Sequence, residues 1–138
     1  MSSPTLTAGC GCGAVRLAID APLEAAAYCH CTRCQRRSGT AAQASGRVKP
    51  GSATIVEGED RVGRWDAGDG LLKCFCRDCG SALFAADRDT GAVVVVRLGA
   101  IDGDPGVRPQ ARQFVANAAP WEPIPDDGLP RFDGRLPG

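Results

Sequence analysis

Eight cysteines gathered into three tight groups do most to limit what this chain can fold into. The groups are Cys10-Gly11-Cys12, Cys29-His30-Cys31-Thr32-Arg33-Cys34 and Cys74-Phe75-Cys76-Arg77-Asp78-Cys79. Thiols two or three positions apart converge on one ion more readily than they close long disulfide loops. Soft thiolates select zinc or iron–sulfur clusters, and zinc is the usual choice for structural sites. The sequence therefore predicts a zinc protein.

The rest of the composition explains why a metal is needed. Hydrophobic residues make up 43% of the 138 positions, but many are alanine and aromatics reach only 5%. Large side chains supply most of the area a core buries, so this core is expected to be thin. With 18 glycines and 10 prolines, about a fifth of the chain favours turns and short strands. Ions that tie distant segments together supply stability that such a core lacks. The length fits one domain over residues 1–138, with a proline-rich wrapping tail at about 119–138.

Charge and hydropathy exclude several classes of function. Sixteen basic and sixteen acidic residues leave a formal net charge of zero, so no overall field attracts nucleic acid or an anionic membrane. No apolar run approaches membrane-spanning length; the longest aliphatic stretch is Val93 to Val96. Residues 1–9 lack the charged start and apolar block of a secretory signal. The expected setting is the reducing cytoplasm, where clustered cysteines serve as ligands or catalysts.

Patterning predicts a mainly β chain. Ala14 to Ile19 alternates, with Val15, Leu17 and Ile19 on one side, as in a half-buried strand. Further short strands are expected at Ala53–Val56, Val62–Trp65 and Leu71–Phe75, with Gly68-Asp69-Gly70 turning between the last two. Ala82–Ala85 and Ala92–Leu98 read as a hairpin with Asp89-Thr90-Gly91 at its tip, and a weaker strand spans Arg112–Val115. One short helix, capped by Thr32 and ended by Gly39, carries Cys34 and three arginines. Trp121 and Phe132 are expected to anchor the tail.

The cysteine spacing suggests how the metals divide. Cys76-Arg77-Asp78-Cys79-Gly80 has the form of a zinc knuckle, and Cys10-Gly11-Cys12 offers a second pair. Together the pairs would close a tetrahedral site joining the N-terminal strand to the middle of the chain. Cys29, Cys31 and Cys34 then remain as three ligands with an exchangeable fourth position, the arrangement of catalytic zinc. Three thiolates leave such a centre net negative, so it suits holding another thiolate better than making hydroxide. The helix N-terminus is expected to favour ionised Cys34. Spacing leaves alternatives open: neighbouring groups could pair in order, and Cys74 could be a fourth ligand or a small buried hydrophobe.

Three segments carry a resemblance to a known family. They are Gly9-Cys10-Gly11-Cys12-Gly13-Ala14-Val15, Cys29-His30-Cys31-Thr32-Arg33-Cys34 and Phe75-Cys76-Arg77-Asp78-Cys79-Gly80-Ser81-Ala82-Leu83-Phe84, with a weaker late match at Ala119-Pro120-Trp121 and Leu129-Pro130-Arg131-Phe132. In these the chain resembles the glutathione-dependent formaldehyde-activating enzymes, also called the centromere protein V family, with the Mss4-like fold. The resemblance implies short antiparallel strands around a structural zinc on Cys10, Cys12, Cys76 and Cys79. It implies a labile, catalytic zinc on Cys29, Cys31 and Cys34. It also implies a carbon–sulfur lyase reaction, in which glutathione as co-substrate adds to formaldehyde to give an S-hydroxymethyl adduct.

Bland readings stand beside these. Arg33, Arg36 and Arg37 could bind the carboxylates of glutathione or form a solvated helix face. His30 lies between two candidate ligands on an extended segment, so its side chain is expected to turn away from them. The partners expected are a small thiol and an aldehyde, with neither nucleic acid nor membrane. A non-catalytic, zinc-stapled binding module is the rival reading, and a nucleic-acid-binding zinc ribbon a poorer one.

Overall fold

Apolar alternation and ladder pairing build two sheets in the computed structural model, which describes residues 4–137. In chain order the elements are β1 (Leu6–Gly9), β2 (Arg16–Ile19), β3 (Ala25–Cys29), α1 (Thr32–Ser38), β4 (Gln43–Arg47), β5 (Ala53–Glu57), β6 (Val62–Asp66), β7 (Leu71–Cys76), β8 (Ala82–Asp87), β9 (Val93–Arg97) and β10 (Arg112–Gln113). The smaller sheet has the order β1-β2-β5, and the larger has β10-β3-β4-β9-β8-β7-β6. All pairings are antiparallel except β10 with β3. The fold is mainly β, with one short α-helix among the described residues.

Period-two alternation gives the large sheet two different faces. The register row Ala26, Gly46, Val96, Phe84 and Cys74 crosses five strands on one face. Val96, Phe84 and Cys74 pack there with Ala8, Val15, Leu17 and Ile19 of the small sheet and its approaches, forming the apolar core. Phe84 is the largest fully buried side chain, so alanines and valines do much of the packing. The other face carries Ala25 and Ala27 of β3, Ser45 of β4, Val95 and Arg97 of β9, Ala85 of β8 and Lys73 of β7. Methyl groups cannot fill the space beneath a covering layer. A cavity results.

α1 covers one end of that hollow face. Its N-cap is Cys31, whose Sγ accepts the Cys34 N–H at 3.2 Å. Thr32, expected as the cap, is instead the first helical residue, because the sulfur one position earlier is the better-placed acceptor. Gly39 ends the helix at φ +70°, and its N–H bonds the Gln35 carbonyl. The guanidinium of Arg37 lies over the rings of Trp65 (5.8 Å) and Phe75 (5.5 Å), pinning the helix to the sheet.

Other expectations changed in their details. β10 stops at Gln113 because Phe114 adopts a left-handed conformation, φ +56°. The tail then returns alongside it, with Arg112 N–H bonded to the Pro130 carbonyl and Phe132 N–H to the Arg112 carbonyl. Phe132 is half-buried on that path, but Trp121 is 65% exposed and anchors nothing. A turn closed by the Glu122 N–H on the Ala119 carbonyl turns the indole outward and leaves Ala119 as the buried contact. Trp65 is 45% exposed and lies beneath Arg37.

Candidate functional site

Cys10 and Cys12 sit in the turn between β1 and β2, Cys76 ends β7, and Cys79 follows in the turn to β8. Their four sulfurs lie within 4.8 Å of one another, with Cys10–Cys12 at 3.7 Å and Cys12–Cys76 at 3.8 Å. Tetrahedral zinc with Zn–S bonds of about 2.3 Å requires sulfur–sulfur edges of about 3.8 Å. The residues therefore fit the ion in number, chemistry and spacing. Local donors favour the thiolate forms: Cys10 Sγ accepts the Val15 N–H at 3.2 Å, and Ser81 Oγ lies 3.2 Å from Cys79 Sγ. The Ser81 hydroxyl and backbone amide draw the Cys79 thiol down to about 5.

A second thiol group opens into the cavity. Cys29 at the end of β3, Cys31 at the helix cap and Cys34 in the first turn bring three sulfurs within 4.8 Å. Three thiols fit a tetrahedral zinc with one open position. The Cys29 thiol is drawn down to about 6, chiefly by its hydrogen bond with Cys34, and the same bond pushes Cys34 up. The helix N-terminus was expected to favour ionised Cys34; its hydrogen bond with Cys29 and its burial act the other way, pushing this half-buried thiol up.

Cys74 belongs to neither group. Its strand position faces the core, where it is 1% exposed, whereas its neighbour Lys73 faces the cavity. His30 is 3% exposed, and its Nε2 accepts from the Arg112 guanidinium at 3.2 Å. Arg112 also donates to Asp127 at 2.7 Å and lies 4.4 Å over the Tyr28 ring. This cluster fastens the tail behind the second thiol group.

The cavity encloses about 750 Å³, within the range of about 300–1,000 Å³ typical of ligand pockets. Cys29, Cys31 and Cys34 line one end; Arg33, Arg47, Lys73, Arg97 and Arg135 supply cations elsewhere, against one carboxylate, that of Asp69, among the described residues. Asp69 sits in the β6–β7 turn and takes both Arg33 and Lys73 at 2.9 Å. Burial opposes its ionisation, but Lys73 and Arg33 hold its carboxyl below the usual range. Of the three helix arginines only Arg33 lines this cavity. Arg36 and Arg37 line a shallower depression of about 460 Å³ with Trp65.

Lys73, Arg47 and Arg97 escape a reading that looks for local motifs, since they come from three different strands. Their signal in the sequence is a charged residue at an inward position of a strand, visible only when register is known.

Comparison with known proteins agrees with this architecture. The chain is similar to a protein from Rhodobacter sphaeroides of known crystal structure, at 22% identity and a TM-score of 0.56, covering 91% of this chain and 98% of that one. That likeness shows the fold alone. No curated protein matches the chain. The family model for the glutathione-dependent formaldehyde-activating enzymes matches residues 5–117. With that match, and with ten strands and two convergent thiol groups among the described residues in keeping with it, the chain belongs to the glutathione-dependent formaldehyde-activating enzyme family.

Proposed function

We propose that this protein is a zinc-dependent carbon–sulfur lyase that joins a glutathione-type thiol to formaldehyde or a similar small aldehyde. One observation carries the reading: three thiols with room for a fourth ligand open into a cavity walled by cations. Cys10, Cys12, Cys76 and Cys79 would hold the structural zinc, and Cys29, Cys31 and Cys34 the reactive one. When bound there, zinc supplies a site at which the substrate thiol is held as thiolate.

The chain's own residues do the remaining work. Arg33 and Lys73 hold Asp69 at the rim, and the basic walls attract the carboxylates of the tripeptide. The alanines at positions 25, 27 and 85 leave space for its backbone. The substrate thiolate attacks the aldehyde carbon, a carbon–sulfur bond forms, and the carbonyl electron pair moves to oxygen, which takes a proton from solvent. Binding both partners side by side converts a bimolecular addition into a local one. Arg36 and Arg37 sit outside the cavity, so the carboxylate role assigned to the helix rests on Arg33.

Exchange NMR on mixtures of glutathione and formaldehyde tests the reading, because the uncatalysed addition is visible as a baseline. The zinc-loaded protein is expected to accelerate exchange, and Cys34→Ser to abolish the acceleration while retaining the structural ion. No acceleration by fully loaded protein would leave the binding-module reading in its place.

A further inference from the structure

Arg97 is largely withdrawn from water yet lacks a matching negative charge. It stands on β9 opposite Ser45, at the centre of the hollow face of the large sheet. One terminal nitrogen donates to the Ser45 hydroxyl at 2.8 Å, while Nε is buried without a hydrogen-bond partner. Among the described residues no carboxylate lies within ion-pair distance of it, unlike Arg33 and Lys73, which share Asp69. Desolvation pushes its pKa down. A buried cation is costly unless an anion meets it. A guanidinium offers five donors in a fork that matches a carboxylate.

We propose that Arg97 is the carboxylate receptor of the cavity, selecting thiols that carry a carboxylate over neutral thiols of the same size. The proposal deepens the lyase reading and rests on it for the identity of the occupant. The carboxylate belongs to the thiol rather than to the aldehyde, because formaldehyde carries none and the cavity is far larger than one small aldehyde needs. Arg97 binds and orients; the reacting atoms lie at the cysteines. The competing account is that Arg97 offsets the negative charge of the three-thiolate centre, to which Cys34 and Cys29 contribute.

Calorimetry with S-methylglutathione and its dimethyl ester separates these accounts without any chemistry at sulfur. The zinc-loaded protein is expected to bind the diacid at least about tenfold more tightly than the diester, as for a charge-assisted contact. Arg97→Gln should remove that preference, weakening the diacid about tenfold or more and the diester little. Arg97→Lys, which keeps the charge but loses the fork, should retain part of it and serves if the glutamine variant fails to fold.

The proposal is overturned if Arg97→Gln binds the diacid as the parent does, or weakens both ligands equally. It is also overturned if that variant only loses zinc, or if the parent binds no diacid at millimolar concentration. Acceleration of adduct formation by a parent protein blind to esterification would sink the receptor and leave the lyase standing. Arg97-dependent binding without acceleration would do the reverse.

Discussion

The two thiol groups place opposite demands on single residues. Cys79 belongs to a closed set of four, and structural zinc contributes about 10–16 kcal/mol of apparent binding energy in small domains. That exceeds or equals the whole stability of a typical domain, about 5–15 kcal/mol. Cys79→Ser is therefore expected to lower thermal stability severely or abolish soluble folding, read by melting and by zinc content. A variant that melts like the parent would show that the closed set does not hold the structural ion. Cys34→Ser sits in the open set and should lose one ion per chain with a small change in melting. Gly58 matters for a different reason. Its φ is +79°, and an added Cβ would sit 2.0 Å from the backbone oxygen of Ala14, beside the first thiol turn. Gly58→Ala should cost at least about 2 kcal/mol in denaturant titration.

At the scale of elements, legibility follows side-chain chemistry. β2 was readable because Val15, Leu17 and Ile19 alternate and are buried to 1% or less. β6, β7 and β9 carry similar apolar or aromatic signals. β1, β3 and β4 were missed because their strand signal is weak: Ala25–Cys29 and Gln43–Arg47 contain no β-branched residue and the four-residue Leu6–Gly9 only Thr7, so their neighbours in the ladder make them strands. The site divides the same way. Its cysteines are local in sequence and were legible, whereas Lys73, Asp69, Ser45 and Arg97 are assembled by register. The helix was legible through Gly39, but its anchor was not. Arg37 stacked on Trp65 and Phe75 should contribute on the order of 1 kcal/mol per ring at this half-exposed position. Arg37→Ala is expected to lower the melting temperature by a few degrees and to loosen zinc held by Cys31 and Cys34. Unchanged zinc retention would separate the helix anchor from the metal site.

Across the whole molecule, the tail and the metals couple stability to solution conditions. The Arg112 guanidinium holds the Asp127 carboxyl below its ordinary range. A depressed carboxyl contributes stability that is present above its unfolded value, about 3.9, and is lost as pH falls through the folded value. The melting-temperature gap between the parent and Asp127→Asn should accordingly be widest near neutral pH and close below about pH 4. A gap that persists into acid would mean that the pair acts through packing rather than charge. Chelation should remove the two ions in order, the three-thiol site first, because its open position admits a competing ligand. Simultaneous loss would indicate one cooperative unit.

The methyl-lined floor has a consequence for how this molecule can change. Ala25, Ala27 and Ala85 border the hollow without belonging to the apolar cluster between the sheets. Enlarging any of them trims the volume offered to a guest while leaving the opposite packing untouched. Guest size is thus adjustable one methylene at a time, independently of the framework that carries it.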